Sequence, residues 1–258
     1  MLDVIFRLVL TASMYAGIVG AVILILKALL KNRINPKWHY IIWVVLLVKL
    51  LVPFGPESAL SLFNTVPPIP QQTNFTQLYE EYHQTYDTIS QSGDKSHIPT
   101  TWVVKDSSLR LAAFAEDVLP YIWLAGFILM LCWLAITNYM LNRKIKYSAV
   151  PVPEHIRLTF DECRNRLGIK RDIRIILQDF IGSPSLFGVL KPRILISREI
   201  STLSEKEVSY IFLHELSHYK RKDLIVNHVL LLLQAIHWFN PVLWYCFKRI
   251  RHDMEVAA

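Results

Sequence analysis

Cysteine is scarce in this chain. Cys132, Cys163 and Cys246 are the whole supply among 258 residues, and no two of them form a Cys-x-x-Cys pair. That argues against a disulfide framework and gives no support to a thiolate metal site. The sequence also lacks basic residues alternating with aromatics on a soluble stretch. The formal charge of +7 therefore does not point to direct nucleic-acid binding. Internal repeats and strongly low-complexity segments are absent. The first apolar run has no short hydrophobic region ending in a small-residue cleavage site, so it reads as a retained anchor rather than a secretory signal. Apolar residues, in contrast, are abundant. They make up 53% of the chain, with a mean hydropathy of +0.31, and this composition suggests a membrane protein.

The apolar residues fall into long runs. The first extends from about Val4 to Leu30 and exceeds the roughly 20 residues that a bilayer requires. Lys31, Arg33 and Lys37 follow it. A second, shorter run covers about Trp38 to Pro53, with Lys49 near its far end, where a long cationic side chain snorkels to the interface. A third covers about Val118 to Met140 and is followed by Arg143, Lys144 and Lys146. Between the second and third lies a polar connection, 54–117, with eight acidic and three basic residues, composed like a flexible outer loop. Lys/Arg excess marks the cytoplasmic side. The expected topology is N-terminus outside, 31–37 inside, 54–117 outside, and everything from about 141 inside. The expected organisation is two membrane helices in 1–53, an outer loop in 54–117, a third membrane helix in 118–140, and a cytoplasmic-facing catalytic domain in 141–258.

That last part reads as a small α+β unit. Residues 151–168 predict a loop entering an amphipathic helix. Ile173–Leu177 predicts a strand, 183–191 a turn-rich linker that follows Gly182 and contains Pro184 and Gly188, and Arg193–Ser197 a second strand.

The segment richest in chemistry is Ser204–Asp223, SEKEVSYIFLHELSHYKRKD. Ser204 and Glu207 form a capping box, which starts a helix at about Glu205. Lys220, Arg221 and Lys222 suit its C-terminal end. With no Pro or Gly between these ends, His214 and His218 lie one turn apart on one face. Two imidazoles so placed can share a Zn²⁺, and Glu215 beside them can reach a water at that ion. An ordinary helix could carry the same three residues by chance. A histidine pair and a carboxylate on a half-buried helix would, however, be costly without a ligand.

A catalytic zinc site needs a third protein ligand. Downstream candidates are His228, His237, His252, Asp253 and Glu255. The apolar run Leu224–Phe247 is interrupted by Asn240-Pro241. A straight helix through it would carry Lys248, Arg249 and Arg251 to the outer side, against the charge rule. A break at Asn240-Pro241 predicts instead a membrane-associated hairpin at about 224–247 that returns the final segment, RHDMEVAA, to the histidine pair. Glu255 is the first candidate there, followed by Asp253 and His252.

With these motifs in place, the chain resembles the antirepressor membrane metallopeptidases, the family of the β-lactam sensor-transducers and methicillin-resistance regulators. The likeness rests on SPSLFGVLKPRILIS, HELSHYKRKD, HWFNPVLW and RHDMEVAA, and on the order of the apolar runs. It implies a gluzincin-like zinc endopeptidase with His214, His218 and Glu255 as metal ligands and Glu215 as general base. It also implies a cytosolic repressor, or the peptidase's own loop, as substrate, and relief of transcriptional repression as outcome. A homodimer is compatible with it. The family pattern places an aspartate four residues after the ligand glutamate, one position beyond Ala258. Many members continue into a further membrane helix and a penicillin-binding sensor domain, so the chain is expected to be a metallopeptidase portion or a sensorless relative. The strand at 193–197 could offer an edge to an extended substrate, or 184–197 could be a purely structural hairpin. Two other functions fit the motif: a quality-control or prenyl-processing membrane peptidase, and a non-catalytic transducer with a structural zinc site.

Overall fold

The computed structural model describes residues 1–30, 36–51, 83–84, 87, 100–147 and 150–256. Its elements are α1 (Leu2–Leu29), α2 (Pro36–Leu51), α3 (Thr100–Tyr147), α4 (Glu154–Arg166), β1 (Arg174–Gln178), β2 (Ser185–Phe187), β3 (Arg193–Ser197), a 3-10 turn (Arg198–Thr202), α5 (Glu205–Arg221), α6 (Asp223–Ile236) and α7 (Pro241–Val256). Two compact units result, 1–19 with 46–129 and 20–45 with 130–258.

Among the described residues, two helical stretches are long and apolar enough to cross a bilayer: α1, and Ala113–Tyr147 of α3. Only 22% and 11% of their most apolar windows are buried in the protein. A core helix of a soluble domain would be mostly covered, so outward apolar faces such as Val22, Ile25, Leu129 and Ile136 are suited to lipid. Of the second run, the described residues form α2, Pro36–Leu51.

In the first unit Phe6 faces Trp123 with ring centroids 6.1 Å apart, and Arg7 pairs with Glu116. Here the expected boundary needs correction. α3 begins at Thr100, so part of what read as loop is helix. Hydropathy marks where a helix enters lipid, not where it starts. No Pro or Gly lies between Thr100 and Asp117 to stop it earlier. Apart from positions 83, 84 and 87, residues 54–99 lie outside the described residues.

The second unit holds a three-stranded sheet in the order β1-β3-β2. β3 pairs parallel with β1, Ile194 opposite Ile175, and antiparallel with β2, Ser185 opposite Leu195. The stretch expected to be a linker thus contains a strand. Its turn requires Gly188, which has φ +86°; a Cβ there would stand 2.7 Å from the Lys191 carbonyl oxygen. The sheet order also overturns the expectation that 193–197 offers an edge, because both sides of β3 are paired. The outer strand on that side is β2, while β1 is bridged on its far side by Val150 to Leu177.

α4 and α5 share one apolar core with the sheet. Ile156 and Phe160 of α4, Leu177 of β1, Ile194 and Ile196 of β3, and Phe212 and Leu216 of α5 are all buried in it. Phe160 meets Phe212 edge to face at 5.2 Å, a geometry that favours aromatic contact beyond simple area burial. α5 starts as the sequence predicts. The Ser204 hydroxyl accepts from the Glu207 amide at 3.4 Å, and the Ser204 amide donates to the Glu207 carboxylate at 2.9 Å.

Replacing Ser204 by Ala removes the acceptor for the Glu207 amide and is expected to cost about 1 kcal/mol locally. Hydrogen exchange of amides 205–208 should accelerate about fivefold. Unchanged protection would show that the cap contributes nothing.

Candidate metal centre

The helix α5 places His214 and His218 as the one-turn spacing requires. Their rings stand 4.8 Å apart and 87° to each other, and the two Nε2 atoms approach to 3.3 Å. Opposed nitrogens at that distance need something positive between them, a proton or a metal ion, because two lone pairs would repel.

The turn after α5 sets the next contact. Lys222 adopts the left-handed conformation, φ 62° and ψ 28°, ending α5 and starting α6 at the following residue. The reversal brings Asp223 back against α5, where its carboxylate lies 2.8 Å from His218 Nδ1. An ionised carboxylate can only accept, so Nδ1 donates and Nε2 is the bare nitrogen facing the cluster. The Asp223 hydrogen bond raises the His218 pKa above the usual value; burial opposes it, and Glu255, Asp223 and Glu215 add to the rise. A more basic imidazole with a fixed tautomer is a better ligand. Asp223 was given no role in the sequence reading. Its signal was weak: an acidic residue in the first turn of the next helix.

Glu255 arrives by way of the hairpin. α6 ends at Ile236 and α7 begins at Pro241. Asn240 caps α7, its side-chain oxygen accepting from the amides of Val242 at 3.0 Å and Leu243 at 3.2 Å. Pro241 takes the first helical position, where its missing N–H costs nothing. Arg251 then ties the two helices together, donating to Asn227 at 2.8 Å and Gln234 at 3.2 Å. The return helix runs on through Val256, further than the hairpin limit of about 247. Glu255 is thus held on a regular helix rather than a trailing segment. Its carboxylate lies 3.4 Å from His218 Nε2 and 3.9 Å from His214 Nε2.

These three side chains are, among the described residues, the one group of at least three potential ligands whose donor atoms lie within 4.8 Å of each other. Two imidazole nitrogens and one carboxylate oxygen form a donor set suited to zinc with one position left open. The other candidates lie elsewhere. His228 Nδ1 contacts the Leu224 carbonyl of its own helix at 2.8 Å, His237 is buried at the α6 end, His252 is exposed, and Asp253 faces away toward α1 and α2.

Glu215 is buried beside the cluster. Burial pushes its carboxyl pKa up; His218 and His214 oppose this, Glu255 adds to it, and a hydrogen bond from the Leu186 amide opposes it. A cavity of about 390 Å³ opens here, lined by Ser185 and Leu186 of β2 and by Glu215, His218, Asp223 and Glu255. His214 and Glu255 are exposed, so the cluster is accessible from solvent.

If Asp223 orients His218, Asp223→Asn should weaken zinc binding about 10–100-fold while leaving the fold intact. Chelator competition measures this, and equal affinities would remove Asp223 from the site.

A family model described as BlaR1 peptidase M56 matches residues 7–258. Regulatory protein BlaR1 of Bacillus licheniformis is 28% identical over 92% of this chain, and methicillin resistance mecR1 protein of Staphylococcus aureus is 28% identical over 83%. The chain spans 39% and 35% of the length of these two relatives. An uncharacterized protein of Aquifex aeolicus is 37% identical over a 68-residue stretch. With the match running through nearly every residue, including the whole cluster, the chain belongs to the BlaR1 peptidase M56 family.

Proposed function

We propose that this chain is the zinc metalloendopeptidase part of a membrane signalling system. The carrying observation is the convergence of His214, His218 and Glu255 next to a buried Glu215, on a chain of a peptidase family. The names of the relatives, which refer to regulation and methicillin resistance, support relief of repression of resistance genes as the outcome. The substrate in this reading is a cytosolic repressor, the peptidase's own loop, or both. The charge pattern supports a multi-pass arrangement with N-terminus outside and the site on the cytoplasmic side.

His214, His218 and Glu255 would hold the ion. When bound, zinc supplies Lewis acidity, which lowers the pKa of water toward about 7 and polarises a scissile carbonyl. Glu215 stands where a general base is required. It takes a proton from the attacking water and later delivers one to the leaving amine. Its raised pKa suits that exchange, since a base with no affinity for the proton could not carry it. Asp223 holds His218 in the tautomer that leaves Nε2 free. The outer strand β2 lines the same cavity, so an extended peptide can add to it and present its backbone to the site.

Two measurements on detergent-solubilised protein test this. Wild type should bind about one zinc per chain, and His218→Ala or Glu255→Ala should lose or sharply weaken it. Glu215→Gln should keep its zinc and lose peptide or self-cleavage by at least about 100-fold. Zinc retained with signalling intact in Glu215→Gln would instead identify a non-catalytic transducer.

A further inference from the structure

Asp253, expected as a runner-up ligand, has a different set of contacts. Its carboxylate pairs with Lys27 from the last turn of α1 and accepts from the Trp43 indole N–H of α2 at 2.6 Å. The Lys27 ammonium also lies 4.8 Å from the centre of the Trp43 ring, within range of its π face. All three are buried, at 7% exposure for Lys27, 0% for Trp43 and 9% for Asp253. Such a charge pair is costly to desolvate, and apolar residues in its place are often at least as stable. Stability alone is therefore a poor reason for its presence.

Geometry suggests a reason. Residues two apart on a helix point about 200° away from each other. Asp253 and Glu255 thus project from opposite sides of α7, one into α1 and α2, the other onto the histidine pair. Between them, the Met254 carbonyl accepts from Arg221 of α5 at 3.0 Å. Rotation of α7 about its axis would carry Glu255 away from His218, and directional contacts to Asp253 oppose that rotation. Productive metal geometry tolerates only about 0.5 Å or 10–20° of error. We propose that Asp253, gripped by Lys27 and Trp43, is a positioning residue that sets the rotation of α7 and hence the place of Glu255 in the metal cluster. The last turn of α1 is then mechanically part of the site, and a displacement of α1 alters the third ligand.

The inference rests on the metal reading above but not on peptidase activity. Its test is zinc affinity, by chelator competition, for Lys27→Met, Asp253→Asn and the double variant Lys27→Met/Asp253→Leu, each with and without Glu255→Ala. The double variant removes both charges of the Lys27–Asp253 pair together, so it should fold even if the single variants do not. With Glu255 present, the variants should bind zinc about 10–100-fold more weakly. Once Glu255 is removed they should change by less than about twofold, since coupled residues are non-additive. Unchanged affinity in folded variants overturns the proposal, as does an equal loss in both backgrounds, which would indicate general loosening. Wild type that cleaves nothing yet shows this coupling would sink the peptidase reading and leave the positioning role standing. Wild type that takes up no zinc would overturn both.

Discussion

One carboxylate from the end of the chain must stand against two imidazoles on α5, and a helical hairpin meets that constraint. The reversal at Asn240-Pro241 sends α7 back along α6, and Arg251 binds the two helices by way of Asn227 and Gln234. The apolar lengths of α6 and α7 pack while their polar ends collect at the cluster. Without the return, His214 and His218 would be two histidines on an amphipathic helix. With it, Glu255 completes a donor set, and its negative charge adds to the burial that raises the Glu215 pKa.

Burial and charge are balanced within a few residues of each other. Asp223 is buried, yet a single oxygen of its carboxylate, Oδ2, meets both His218 at 2.8 Å and Arg221 at 3.1 Å. Arg221 reaches from there to the Met254 carbonyl, so a single guanidinium spans the carboxylate behind one proposed ligand and the backbone beside another. These contacts are charge-assisted and partly shielded from water, which makes them stronger and more directional than surface pairs. The sheet contributes in a different way. α5 is pressed on it through Phe212 and Leu216, which fixes the helix that carries the histidines, and β2 is left as the outer strand beside the cavity.

Much of this was legible from local patterns. The capping box at Ser204 and Glu207 placed the start of α5, and the histidine spacing then placed both imidazoles on one face. Asn240-Pro241 announced a break, and the charge rule indicated that the chain should come back. Other features were not legible. A three-residue strand with Gly and Pro around it has too little periodicity to register, so β2 read as linker. Asp223 looked like an ordinary acidic residue of a helix start, because its approach to His218 depends on Lys222 adopting a left-handed conformation that lysine seldom takes. Lys27 was lost within a long apolar run.

By itself, then, the sequence determined what short-range physics controls: where helices start and break, which runs are greasy enough for lipid, and which residues share a helical face. Those depend on a residue and its neighbours within a turn or two. Tertiary structure alone decided which of two nearly adjacent acids, Asp253 or Glu255, faces the histidines, and that β3 is central rather than an edge. Helix rotation and strand order are settled by contacts between segments distant in sequence. A buried Lys27 and Trp43 and a covered β3 enter those contacts from outside any local pattern.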